Sequence, residues 1–172
     1  MRTKIVSAFP GVGKTTYHKN NPDTTLDSDS SGFSWVVDEH GNKTRNPSFP
    51  QNYINHIKEN IGKYKYIFVS SHKEVRDALL DNCLFFYLVY PKYESKDEMI
   101  QRYRDRGNDE NFIKLVDSNW EEWIDEFIWM DRGCERLTAY EGWYLEDVLN
   151  SQEARDGGEV IQEDVEEIEE LD

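Results

Sequence analysis

Long apolar runs are missing from this 172-residue chain: no stretch approaches the ~20 residues that a membrane-crossing helix needs. The first residues form no hydrophobic signal segment either, because Lys4, Pro10 and Lys14 interrupt them. Cysteine is scarce. Cys83 and Cys134 make no C-x-x-C pair and no metal-ligand spacing, which excludes a disulfide framework and a zinc ribbon and fits reduced thiols. Basic residues are also short, with 20 Lys and Arg against 35 Asp and Glu and a formal charge of −15. Such a field repels bulk nucleic acid and anionic lipid, so it opposes a nucleic-acid-coating role and a membrane partner. The expectation is a soluble, cytoplasmic protein.

What is present suffices for one core: 37% of residues are apolar and 13% aromatic. The acid gathers at one end. Residues 151–172 hold ten acidic residues and one arginine, leaving −6 on residues 1–150. We therefore expect a folded domain over 1–150 and an acidic tail over 151–172, with Gly157-Gly158 as a break inside it. The tail reads as solvated. Alternatively it binds a protein partner, since Val160, Ile161, Val165, Ile168 and Leu171 fall partly at helical spacing.

Short runs rich in β-branched and aromatic residues predict strands at Ile5-Val6 and at 24–26, 65–71, 84–91 and 136–140. Helical patterns occupy 14–20, 50–61, 72–81, 95–106 and 110–130, the last with Trp120, Trp123, Phe127 and Trp129 as its packed face. Strand alternating with helix predicts an α/β domain with a five-stranded parallel sheet. Residues 29–50 show no sustained period and read as one long loop.

The motif that carries chemistry is "AFPGVGKT", residues 8–15, placed between the first strand and the first helix. It follows the phosphate-binding pattern of glycine, lysine and hydroxyl, with Ala8 standing where the pattern opens on glycine. Pro10, Gly11, Val12 and Gly13 supply a turn whose N–H groups face a phosphate. Lys14 reaches the β and γ phosphates, Thr15 offers a hydroxyl to Mg²⁺, and Thr16 beside it completes the expected ATP-binding run. ATP with Mg²⁺ is the expected ligand. The end of the third strand lacks the acid of a hydrolysing ATPase, and no Asn-Lys-x-Asp guanine motif occurs.

Two further stretches join it. "LDSD" sets Asp27 and Asp29 on one side of an extended segment, and "RYRDRG" carries Arg102, Arg104 and Arg106 beyond the fourth strand. A straight helix would scatter those arginines. The helix is therefore expected to end near Arg104, with Arg106-Gly107 turning and Arg102 and Arg106 reaching the phosphates.

With these motifs in this order, residues 1–150 resemble the P-loop kinases that include nucleoside monophosphate kinases and polynucleotide kinases, bacteriophage members among them. The resemblance implies a three-layer fold with an arginine-bearing lid, and γ-phosphoryl transfer from ATP to a nucleoside, nucleotide or similar small acceptor. It gives Asp29 the role of base and metal ligand, with Asp27 as the alternative. The arginine that often follows this acid in polynucleotide kinases is replaced by Ser30, Ser31 and Gly32. A polynucleotide or modified-base DNA kinase is the second reading, and a non-catalytic ATP-binding module the third. On the acceptor side stand Phe33 and Trp35, as stacking or core aromatics, with Arg45 for an acceptor phosphate. Ser70, Ser71 and His72 lie where open parallel sheets place ligands.

Overall fold

The computed structural model describes residues 2–170, with side chains through 157. Five parallel strands form the sheet: β1 (Lys4–Ala8), β2 (Thr25–Asp27), β5 (Tyr66–Ser70), β6 (Phe86–Pro91) and β7 (Cys134–Ala139), in the order β2-β5-β1-β6-β7. The three central strands are buried almost throughout, as their β-branched and aromatic composition requires of strands covered on both faces. The register sets Ala8 beside Ser70 and Val89, so β1 and β5 finish together while β6 runs on to Pro91. That shared edge is where the glycine loop begins.

Helices α1 (Lys14–Asn20), α3 (Gln51–Asn60), α4 (Lys73–Asp81), α5 (Lys96–Asp105), α6 (Glu110–Ile128) and α7 (Leu145–Glu170) connect or follow the strands. The whole is compatible with a three-layer α/β fold. Asp109 caps α6 by accepting from Phe112 N at 2.8 Å, and the helix buries Ile113, Val116, Trp120, Ile124 and Phe127 at helical spacing. Trp129 departs from the expected packed face. It is 80% exposed because α6 stops at Ile128, and the turn that follows aims its ring outward.

Residues 29–50 are not one loop. They hold a single helical turn, α2 (Ser31–Ser34), and an antiparallel hairpin of β3 (Trp35–Val37) and β4 (Lys43–Arg45). Asp38 closes the hairpin turn, its Oδ1 accepting from His40 N and Asn42 N at 2.9 and 2.8 Å, with Gly41 at φ 81°.

Helix α7 also departs from expectation. It crosses Asn150 without interruption and continues through Gly157-Gly158. Its first turns are docked: Gln152 is buried, Glu153 pairs with Lys65 at 2.6 Å and accepts from the Tyr66 hydroxyl at 2.6 Å, and Asp156 pairs with Lys4 at 2.8 Å. The acidic segment thus begins as part of the body. Val160, Ile161, Val165, Ile168 and Leu171 lie outside the residues whose side chains are described.

Candidate functional site

Loop 8–15 leaves β1 and enters α1 through two glycines with left-handed backbone, Gly11 at φ 85° and Gly13 at φ 110°. Gly11 is required twice over: besides its φ, a Cβ there would stand 2.6 Å from Tyr103 Cε1. Tyr103, on α5, donates its hydroxyl to Pro10 O at 2.7 Å, while Leu145 N at the start of α7 donates to the buried Val12 at 2.7 Å. The loop is held from both sides before anything binds.

The cavity over this loop measures ≈ 730 Å³, within the ~300–1,000 Å³ typical of small-molecule sites. Lys14, Thr15 and Thr16 line one wall, Arg102 and Arg106 face them from α5, and Tyr144 forms a third side. Lys14 is half-buried and folds back to donate to Ala8 O at 2.6 Å. Burial pushes its ammonium down to about 8, against the opposing pull of Asp27 and Asp29. A cation held in so weakly solvated a place gains from any anion that enters.

Thr15 Oγ1 donates to Asp27 Oδ2 at 3.2 Å, bridging α1 and β2. Two hard oxygens so close fit Mg²⁺, which keeps waters and phosphate oxygens as its remaining ligands and needs no larger protein cage. Among the described residues no cluster of three His, Cys, Asp or Glu side chains could hold a metal by itself. Asp29 is exposed, and its Oδ1 accepts from Ser31 N at 2.9 Å. Of the two carboxylates, Asp27 is the one in contact with Thr15.

The two arginines differ. Arg102 donates to Glu98 at 2.8 Å, to Trp143 O at 2.7 Å and to Gly11 O at 3.3 Å, and its guanidinium lies 3.9 Å from the Tyr144 ring centroid. It is a strut between α5, the loop and the start of α7. Arg106 is exposed, donates from its side chain to neighbouring Asn108 and lies 5.2 Å from the Tyr103 ring; it caps α5, which ends at Asp105, one residue past the expected end, with Gly107 turning the chain at φ 80°. Arg104 does not line the cavity.

Ser71 and His72 follow the end of β5, and the charges of Lys14, Asp29 and Arg45 all act on His72. His72 precedes α4 and is exposed at its surface; loss of solvation, followed by the charge of Lys14, lowers its pKa below the ordinary value, with Asp29 opposing. Arg45 pairs with Glu74 in the first turn of α4 and lies over the rings of Trp35 and Phe49. Phe33 instead packs on Tyr53 and His56, with centroids at 5.2 and 4.8 Å, so its ring serves the core. Ser70 is also internal, donating to Ser30 Oγ at 2.9 Å.

Sequence reasoning missed Tyr103 and Tyr144, because tyrosine has no fixed spacing from a glycine loop. It missed Arg76 as well, a buried arginine inside an amphipathic helix. No protein-family model matches the chain, and no curated protein matches it.

Proposed function

We propose that the chain is a P-loop kinase that transfers the γ-phosphoryl group of ATP to a nucleoside, nucleotide or similar small acceptor. The observation that carries this reading is the cavity lined by Lys14, Thr15, Arg102 and Arg106, with Asp27 hydrogen-bonded to Thr15 and the charges of Asp27 and Asp29 both acting on Lys14. Phosphoryl transfer needs positioning and cationic compensation more than covalent help, and this cavity offers those two things. The acceptor oxygen forms its bond to the γ-phosphorus as the bond to the β–γ bridging oxygen breaks and ADP leaves. The hydroxyl proton passes to the Asp29 carboxylate, which stands free of the Thr15 contact that occupies Asp27. Lys14 and Arg106 offset the charge on the moving group, and Arg102 holds α5 at the distance that lets Arg106 do so. Mg²⁺, when bound, supplies charge neutralisation, with Thr15 and Asp27 holding it.

A second reading, transfer to DNA or RNA, draws on the hairpin: Trp35 is 44% exposed with Arg45 5.4 Å from its ring, an aromatic–cation pair of the kind that single strands stack on. One experiment separates the readings. The protein is incubated with γ-labelled ATP, Mg²⁺ and a panel of nucleosides, nucleotides and oligonucleotides. Label in a nucleoside or nucleotide supports the first reading and label only in oligonucleotides the second. ATP binding with no transfer to any of them leaves an ATP-binding module.

A further inference from the structure

Asp29 is exposed, yet the residues on both sides of it are held by hydroxyls in the interior. Tyr53, on α3 and fully buried, donates to Ser28 O at 2.6 Å. Ser70, the last residue of β5, donates to the buried Ser30 Oγ at 2.9 Å. We propose that Tyr53 and Ser70 are positioning residues for Asp29, fixing its place relative to the glycine loop. The inference rests on the kinase reading, in which Asp29 takes the acceptor's proton.

The contacts form one connected path. Ser28 N donates to Phe68 O at 2.9 Å, one residue past the β2–β5 ladder. Beyond Asp29, Ser30 O accepts from Phe33 N and Ser34 N, each at 3.0 Å, and so starts α2. Ser70 carries the path to the donor side, because its own carbonyl accepts from Ser7 Oγ at 3.0 Å. Ser7 lies on β1 one residue before Ala8, where the glycine loop begins.

Burial decides how firmly these bonds hold. Tyr53, Ser28 and Ser30 are 0%, 7% and 6% exposed, so water competes poorly for them, and a buried polar group left without its partner is costly. Loss of solvation raises the Tyr53 phenol above its ordinary 10, which keeps the hydroxyl a donor at neutral pH. The ring alone does not account for this tyrosine. Phenylalanine would fill the same place beside Phe33 and Phe49, whose centroids lie at 5.2 and 6.2 Å, and would leave Ser28 O unanswered. Proton transfer needs the carboxylate at one place, and a displacement of ~1 Å can cost ~10²-fold in rate.

The test uses the full-length protein with two small changes, Tyr53→Phe and Ser70→Ala. Amide hydrogen exchange followed by NMR reads the clamp directly. The amides of Ser28 to Ser34 should exchange at least about tenfold faster in each variant, while those of β6 keep wild-type rates. Turnover is measured with γ-labelled ATP and thymidine, deoxycytidine, deoxyguanosine or a single-stranded oligonucleotide. Each change should lower kcat about 10–100-fold with the ATP KM unchanged, and should lower it no further in an Asp29→Asn background. Faster exchange with no transfer by the wild-type protein keeps the clamp and removes the kinase reading. Exchange at 28–34 that stays at the wild-type rate in both variants overturns the proposal. So does wild-type kcat in both, or an equal loss of rate with and without Asp29.

Discussion

Thr15 Oγ1 and Asp27 Oδ2 stand 3.2 Å apart, tying the first turn of α1 to the end of β2, while Asp29 two residues on accepts from Ser31 N in its own turn. This division of two carboxylates separates their expected phenotypes. Asp27→Asn should raise the Mg²⁺ concentration needed for half-maximal rate, because it removes a charged ligand. Asp29→Asn should lower kcat by about 10²–10⁴ with the Mg²⁺ midpoint and ATP KM unchanged. Mg²⁺ titrations of both variants decide it. A shifted midpoint in Asp29→Asn alone would reverse the two roles.

Lys14 gives a pH prediction whose sign follows from its burial. Its ammonium sits at about 8 in the nucleotide-free protein, against an ordinary 10.5, and a bound triphosphate pulls it back up. ATP binding at pH 8 should therefore take up about half a proton, and affinity should fall as pH rises through 8. Calorimetry in two buffers of different ionisation enthalpy measures the uptake; Lys14→Met should abolish it together with turnover. Between about pH 8 and 10.5 the unfolded chain binds more protons at this residue than the folded one. Its contribution to folding stability therefore increases with pH across that window.

Arg102 and Arg106 share the cavity but should fail differently. Arg102→Ala leaves Gly11 O and Trp143 O without their side-chain donor and removes the ion pair with Glu98, and should cost about 1–3 kcal/mol of stability as well as activity. Arg106→Ala removes an exposed side chain and should change stability by no more than ~0.5 kcal/mol while lowering kcat. Denaturant unfolding beside steady-state rates distinguishes them. A stable, inactive Arg102→Ala would assign the chemistry to Arg102 instead.

How far the sequence carried follows from where the signals lie. The central strands were legible because strands covered on both faces must be apolar runs, and the α5 terminus was legible because three alternate arginines cannot share a helix face. The hairpin was not, because Trp35, Val36 and Val37 are all exposed and their strand is three residues long, leaving the Asp38–Gly41 turn as its one cue. The role of Arg102 was hidden for a different reason: two of its partners are backbone carbonyls, Gly11 O and Trp143 O, which no residue type marks. A glycine pair reads as a break, yet α7 runs through Gly157-Gly158.

The docking of α7 yields the last prediction. Deleting residues 151–172 removes the buried Gln152 and the ion pairs of Glu153 with Lys65 and Asp156 with Lys4. Exposed pairs contribute at most ~1 kcal/mol each, so the loss at pH 7 should be about 1–3 kcal/mol. Hydrogen bonds from Lys65 and then Tyr66 hold the Glu153 carboxyl below its ordinary 4.5, and Lys4 does the same for Asp156 below 3.8. Carboxyls depressed in the folded state contribute stability above their unfolded values, and that contribution is lost as pH falls through the folded ones. The gap between intact and truncated protein should therefore narrow from pH 7 to pH 3, leaving the part due to Gln152 and its packing. Urea unfolding at the two pH values measures both parts. Equal stability of the two proteins at pH 7 would mean that these contacts add nothing to the fold, and a gap unchanged at pH 3 would assign the whole effect to packing rather than to the ion pairs.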